Sequence, residues 1–295
     1  MSRSIFIFDA CSLINLFHID EDDLLYNEIL KHNIFIAEEV INEVKRNVFR
    51  KFKLLDTYKI SYEDEKKDEI NEKIGSLIRF QVENKRIIEE CGNLFEECKK
   101  FNKYYKVNGE FISTCLALLK SRKENHIAHF YTDDYPAIKT LQNYFNYQKI
   151  GFIQDSVDLL IFLYWSSAKI NLPKLKNFLS LLLYEYNIEL KLLLEQIRNR
   201  KEVIQRLIKD KNLSRLLYEL EYSLSTFKLN KLSKIKSDIM NYKKMIPDFI
   251  TMFDSFSKIF EIENDCDENL FGKIKNSIGW LNDYEILKLH SSNPI

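Results

Sequence analysis

Ile5, Phe6, Ile7 and Phe8 form an unbroken apolar run that ends on a carboxylate, Asp9, and the chain turns helical immediately afterwards. Four successive apolar residues without polar alternation describe a strand buried on both faces, the habit of parallel sheets covered by helices. In open α/β sheets ligands bind beyond the carboxyl ends of the strands, so Asp9 stands where a functional acid is expected. Ser12 is placed to cap the following helix, whose apolar positions are Leu13, Ile14, Leu16 and Phe17.

The same alternation continues downstream. Asp20 to Lys31 carries acids in its first turn and a cation at its end, in accord with the helix dipole, and Asn33 breaks it. Ile34 to Ile36 reads as a second strand. A helix from Ala37 aligns Val40, Ile41 and Val44, with Glu43 at the edge of that apolar stripe, a poor place for a purely solubilising charge. Residues 46–106 are long, charged and without proline, and read as a helical hairpin or lid projecting from the sheet. Gly109 then breaks the chain between helices, and Glu110 opens a helix whose apolar face is Phe111, Ile112, Cys115, Leu116 and Leu119. Ile127 to Tyr131 is a third strand ending in Thr132, Asp133 and Asp134. An amphipathic helix (Pro136 to Tyr147), a strand (Ile150 to Ile153) and a helix (Ser156 to Ser167) follow. Alternating elements of this kind predict a parallel sheet with right-handed crossovers.

Composition supports that class. Of 295 residues 45% are hydrophobic, enough for a real core, and six glycines with four prolines leave little turn chemistry for an all-β fold. Length and the change of pattern near Ile188 predict two domains, 1–187 and 188–295. No window of eighteen uncharged apolar residues occurs, so the expectation is a soluble cytoplasmic protein that does not engage a membrane. The five cysteines are odd in number and lack CxxC spacing, which favours reduced thiols over a zinc site; His126 and His129 lack the strand alternation that would aim both inward as a metal pair.

Net charge is zero, but residues 165–245 hold 17 Lys and Arg against 8 Asp and Glu, whereas the following stretch holds 4 against 9. The basic segment reads either as the footprint of a polyanion or as a solvated helix face. Within it the leucine-rich helices after Ile188 predict a bundle or a dimerising pair, and Arg198, Arg200, Lys201, Arg206, Lys209 and Lys211 are the side chains that would track a nucleic-acid backbone. The acidic tail with Glu261, Glu263, Asp265, Asp267 and Glu268 could fold back on that surface.

Four acid positions thus come from four separate places: Asp9, Glu43, Glu110, and Asp134 with Asp133 beside it. Carboxylates gathered within a few ångströms repel, and a hard divalent cation such as Mg²⁺ or Mn²⁺ relieves the repulsion.

The motifs IFIFDACSLINL, IAEEVINEVKR, GEFISTCLALL and YTDD, in this order, with the later GFIQDSVDLLIFLYWSSAKI, resemble a PIN-domain nuclease over roughly the first 185 residues. The resemblance implies an α/β, PIN-like fold, with a short central parallel sheet flanked by helices, followed here by an all-α C-terminal region. It implies catalytic acids Asp9, Glu43, Glu110 and Asp134, with Asp9, Glu110, Asp133 and Asp134 around one or two Mg²⁺ or Mn²⁺ ions, and Ser12 and Thr132 in support. It implies endonuclease activity on RNA more than DNA, a homodimer, and, in toxin or defence settings, an antitoxin or regulatory protein as partner. The chain departs from the pattern at Cys11, where a small hydroxyl or amide residue is usual, so a hydrogen bond from that position passes to Ser12 or is lost. Glu110 stands where Asp is commoner, and the insertion of 46–106 and the C-terminal region exceed the minimal domain. Two alternatives remain: a non-catalytic PIN-derived binding or scaffold protein, and a haloacid-dehalogenase-type phosphatase, which needs an Asp where Cys11 stands.

Overall fold

The computed structural model describes residues 4–20, 22–50, 64–102, 108–186, 188–226, 231–256 and 270–283. Two compact units divide the chain: the first ends at Leu182 and is rejoined by the stretch from Trp280, and the second is Leu183–Gly279. The boundary falls inside a helix, α10 (Leu172–Tyr186), where no turn residue announces it.

The first unit is built on a five-stranded sheet in which every pairing is parallel. Its strands are β1 (Ser4–Phe8), β2 (Ile34–Ala37), β3 (Gln81–Val82), β4 (Ile127–Tyr131) and β5 (Gly151–Gln154), in the spatial order β3-β2-β1-β4-β5. Phe8 pairs with Tyr131, and the Asp9 N–H donates to the Tyr131 carbonyl at 2.9 Å, so the β1–β4 ladder runs on to the acid itself. Ile5 to Phe8 are buried, as a strand covered on both faces requires.

Helices in the first unit are α1 (Ala10–Ile19), α2 (Leu24–Ile29), α3 (Glu38–Asn47), α4 (Asp64–Leu77), α5 (Asn84–Cys91), α6 (Asn93–Asn102), α7 (Gly109–Glu124), α8 (Tyr135–Gln148) and α9 (Ser156–Ser166). The expected helix over Asp20 to Lys31 is shorter. It starts at Leu24, and the buried Asp20 carboxylate takes the N–H groups of Leu25 (2.9 Å) and Tyr26 (2.8 Å) from outside it. The described part of 46–106 does not simply project from the sheet. Ile70, Ile74 and Leu77 of α4 are buried, Lys73 reaches Asp23 at 2.5 Å and Glu69 at 2.7 Å, and β3 then joins the sheet edge. A two-residue Gln-Val strand in a polar stretch carries no periodicity to read.

α7 is apolar on almost every side: Phe111, Ile112, Cys115, Leu116, Ala117, Leu118 and Leu119 are all buried, and it packs against α3, α5, β2 and β4. Cys91, Cys98 and Cys115 are buried free thiols, as expected. Cys266 and the acidic tail from Glu261 to Glu268 lie outside the described residues.

The second unit is helical. α11 (Ile188–Leu207) packs on α12 (Lys211–Ser225), whose Leu213, Leu216, Leu217, Leu220 and Leu224 form its buried face; α13 (Leu232–Met240) and α14 (Pro247–Asp254) follow. Among the described residues no helix is long and apolar enough to cross a membrane.

Candidate active site

Asp9 occupies the position between β1 and α1, and its buried carboxylate is oriented by two donors on one oxygen. Cys11 Sγ donates to Oδ2 at 3.0 Å, and Thr132 Oγ1, just past the end of β4, donates to the same atom at 3.1 Å. The hydrogen bond expected to pass to Ser12 is therefore made by Cys11. Burial, then the charges of Asp9 and Asp133, hold that thiol protonated, so it serves as a neutral donor. Ser12 does not cap α1 and hydrogen-bonds none of the acids. It is buried within the helix, and its Oγ finds no hydrogen-bond partner among the described residues.

The other oxygen of Asp9, Oδ1, points towards Gly109. A Cβ on Gly109 would lie 3.7 Å from Asp9 Oδ1, 3.3 Å from Val40 Cγ2 and only 3.0 Å from Glu43 Oε2. Two carboxylates from different elements thus converge on the bare face of one glycine. Gly109 has no positive φ, so backbone freedom does not explain it; the absence of a side chain does. It opens α7, where Asn108 caps by accepting the Phe111 N–H at 3.1 Å, and the positive end of a helix dipole sits beside the acids.

The electrostatics match. Burial raises the pKa of Asp9 above the ordinary carboxylate value; Cys11, the Ala10 N–H and Thr132 oppose that, and the charge of Asp134 adds to it. Burial likewise raises Glu43, with Asp9 as the next contributor and Arg46 opposing. The two acids penalise each other's charge, the condition a bound cation removes.

Asp134 caps α8, its Oδ1 accepting the Ala137 N–H at 3.2 Å, while its own N–H donates to Thr132 Oγ1 at 3.2 Å. Thr132 therefore links Asp134 to Asp9. Glu110 lies half-buried in the first turn of α7, next to Gly109.

Asp133 is placed differently from the metal ligand that the sequence suggested. Its carboxylate accepts from Asn15 Nδ2 (2.8 Å), the Ser156 N–H (2.7 Å) and Ser156 Oγ (2.6 Å), tying α1 and the start of α9 to the end of β4. Consecutive residues of an extended segment face opposite ways, so only one of the two adjacent acids faces Asp9. Asp133→Ala is expected to destabilise the fold by about 3 kcal/mol, because it strands buried donors. Chemical denaturation would show this, and Mn²⁺ affinity should stay unchanged under conditions where the variant is folded.

Among the described residues no three His, Cys, Asp or Glu side chains are grouped tightly enough to form a ready-made metal cage. The donor set still fits a hard divalent ion, since Mg²⁺ is commonly held by one or two carboxylates and keeps several waters. Asp9 Oδ1 and Glu43 Oε2 supply two hard oxygens on either hand of Gly109, whose missing side chain keeps a methyl group from between them.

In the second unit, much of the basic segment is neutralised from within. Lys201 reaches Glu221 at 2.6 Å and Arg198 reaches it at 3.3 Å, Arg206 pairs with Glu202 at 3.2 Å, and Arg200 donates to the Asp248 carbonyl at 3.4 Å. Lys209 and Lys211 are exposed. The solvated-face reading gains from these pairs, because acids on the same surface weaken its attraction for a polyanion.

No family model, curated protein or solved structure matches the chain.

Proposed function

We propose that the chain is a PIN-type, metal-dependent endoribonuclease whose reactive centre is the Asp9–Glu43 pair with Asp134 beside it. The observation that carries the reading is the convergence of two carboxylates of raised pKa on the space that Gly109 leaves open. An acid pair that lowers its own stability makes physical sense where a cation is to be held. The all-parallel order β3-β2-β1-β4-β5, with acids after β1 and β4, accords with it.

Mg²⁺ or Mn²⁺ bound here would supply a water of lowered pKa and positive charge against the phosphodiester. The chain's own contribution is orientation. Cys11 and Thr132 fix Asp9 Oδ2, which turns Oδ1 towards Glu43 and leaves it for the ion. Thr132 also fixes the backbone of Asp134. Glu110, on the same helix end, is the fourth acid of the proposal. RNA as the preferred substrate, a homodimeric state, a cytoplasmic place and an antitoxin or regulatory partner belong to this same reading.

Calorimetric titration with Mn²⁺, together with cleavage of labelled single-stranded RNA with and without EDTA, tests it. Saturable Mn²⁺ binding and cleavage that EDTA abolishes are expected. Absence of both would leave a non-catalytic α/β scaffold.

A further inference from the structure

A second pocket, of about 320 Å³, opens beside the β2–β3 edge of the first unit. It lies towards the far end of α7. Lys120 in its wall is eleven residues beyond Gly109, about 16 Å along the helix at the usual rise per residue. Its walls combine three cations (Arg79, Arg86 and Lys120) with two aromatic rings (Phe35 and Phe80) and two side-chain amides, one of them that of Gln81. The rings and cations are already paired. Lys120 Nζ sits 3.9 Å from the centre of the Phe35 ring, and the Arg79 guanidinium 4.7 Å from that of Phe80.

We infer that this pocket binds a nucleoside monophosphate, at a site separate from the acid pair. The volume is at the small end of ligand pockets, suited to one compact molecule rather than a strand. Guanidinium forks match phosphate oxygens, aromatic faces take a base by stacking, and the side-chain amide of Gln81 can pair with a base edge. Charge narrows the choice further. Glu90 holds Arg86 at 2.6 Å and Glu124 holds Lys120 at 2.6 Å, and both glutamates line the pocket, so the wall carries only one net positive charge. One net charge balances a monophosphate more nearly than a triphosphate, and a pocket at the small end of the range leaves little room for two further phosphates. Arg79 is exposed and makes no ion pair among the described residues, so it is the cation that meets the phosphate without first giving up a carboxylate.

The test is calorimetric titration of the full-length protein, in EDTA, with AMP, GMP, CMP and UMP, and with adenosine, inorganic phosphate and ATP as comparisons. At least one monophosphate should bind saturably at a single site, with the nucleoside, phosphate and ATP each at least about tenfold weaker. Arg79→Glu should weaken binding at least about tenfold, because it reverses the charge that meets the phosphate. Its side chain is exposed, and unchanged far-ultraviolet circular dichroism would establish that the fold is kept; Phe80→Ala tests the stacking contact independently. Binding by none of the four, equal binding of phosphate alone, or parent-like affinity in both variants overturns the assignment. EDTA removes divalent ions throughout, so failure here leaves the proposed metal site untouched.

Discussion

Asp9→Asn is expected to reduce metal-dependent RNA cleavage by about a hundredfold or more while the melting temperature stays level or rises. Asparagine keeps the shape and one acceptor for Cys11 and Thr132, but removes the negative charge on the oxygen facing Glu43. A catalytic base or ligand that also held the fold together would lose both properties on substitution. Asp9 differs, because burial and Asp134 make its charge a cost to the folded state. The sign follows from linkage. A carboxylate whose folded pKa lies above its unfolded value keeps its proton longer in the native state, so native stability falls as pH rises through that interval. Melts in EDTA should therefore show the parent losing stability above the usual carboxylate range, 3.8 for Asp and 4.5 for Glu, as pH rises. Asp9→Asn should flatten that slope, and relieving Glu43 of its neighbour should lower the Glu43 pKa. Mn²⁺ should stabilise the parent most at the upper end of the same interval and stabilise the variant far less. A variant that cleaves RNA at the parent's rate would sink the site assignment, and an unaltered pH slope would sink its electrostatic basis.

Gly109→Ala is the second large effect, and the more discriminating one. The added methyl would stand 3.0 Å from Glu43 Oε2 and 3.3 Å from Val40, so the Glu43 carboxylate must give way by a few tenths of an ångström. On the proposed reading such a shift at Glu43 costs less than the roughly hundredfold of a 1 Å misplacement, about tenfold in rate. Stability should move little, since the atom displaced is the end of a half-buried side chain and alanine favours the helix by up to about 1 kcal/mol over glycine. The expected result is a melting temperature within a few degrees of the parent's and a loss of cleavage and Mn²⁺ affinity of about tenfold, smaller than that of Glu43→Gln. Full activity in Gly109→Ala would mean that the space beside the two acids has no role.

These two residues show what a sequence can and cannot disclose. The position of Asp9 was legible because the apolar run before it has one structural meaning, a strand buried on both faces that ends at the acid. Glu43 was legible from its place at the edge of the α3 stripe, and it is half-buried there. Gly109 was read as a break between helices; its actual contribution is an absence, visible only once the neighbouring carboxylates are placed. Adjacent Asp133 and Asp134 are equivalent in sequence, and the backbone direction after β4 separates them, sending one to Asn15 and Ser156 and leaving the other beside Thr132. Cys11 was undervalued because a thiol is a weak donor in general, whereas here burial and two acids keep it protonated at hydrogen-bond distance. β3 escaped because two residues cannot display a period. The large apolar elements, α3, α7 and strands β1, β2, β4 and β5, were accessible for the opposite reason: their patterns are long enough, or uniform enough, to admit one reading.

Because α7 is surrounded by packed side chains along its length, its amino end cannot slide or rotate without disturbing Phe111, Cys115 and Leu118 together. The position of Gly109 beside Asp9 is therefore set by the interior of the protein rather than by an adjustable loop, and Glu43, half-buried on α3, is the acid left to adjust. On the proposed reading, an ion of larger radius would be met by movement of the Glu43 side chain, so preference for Mg²⁺ over Ca²⁺ would rest on the small number of oxygen ligands the site supplies.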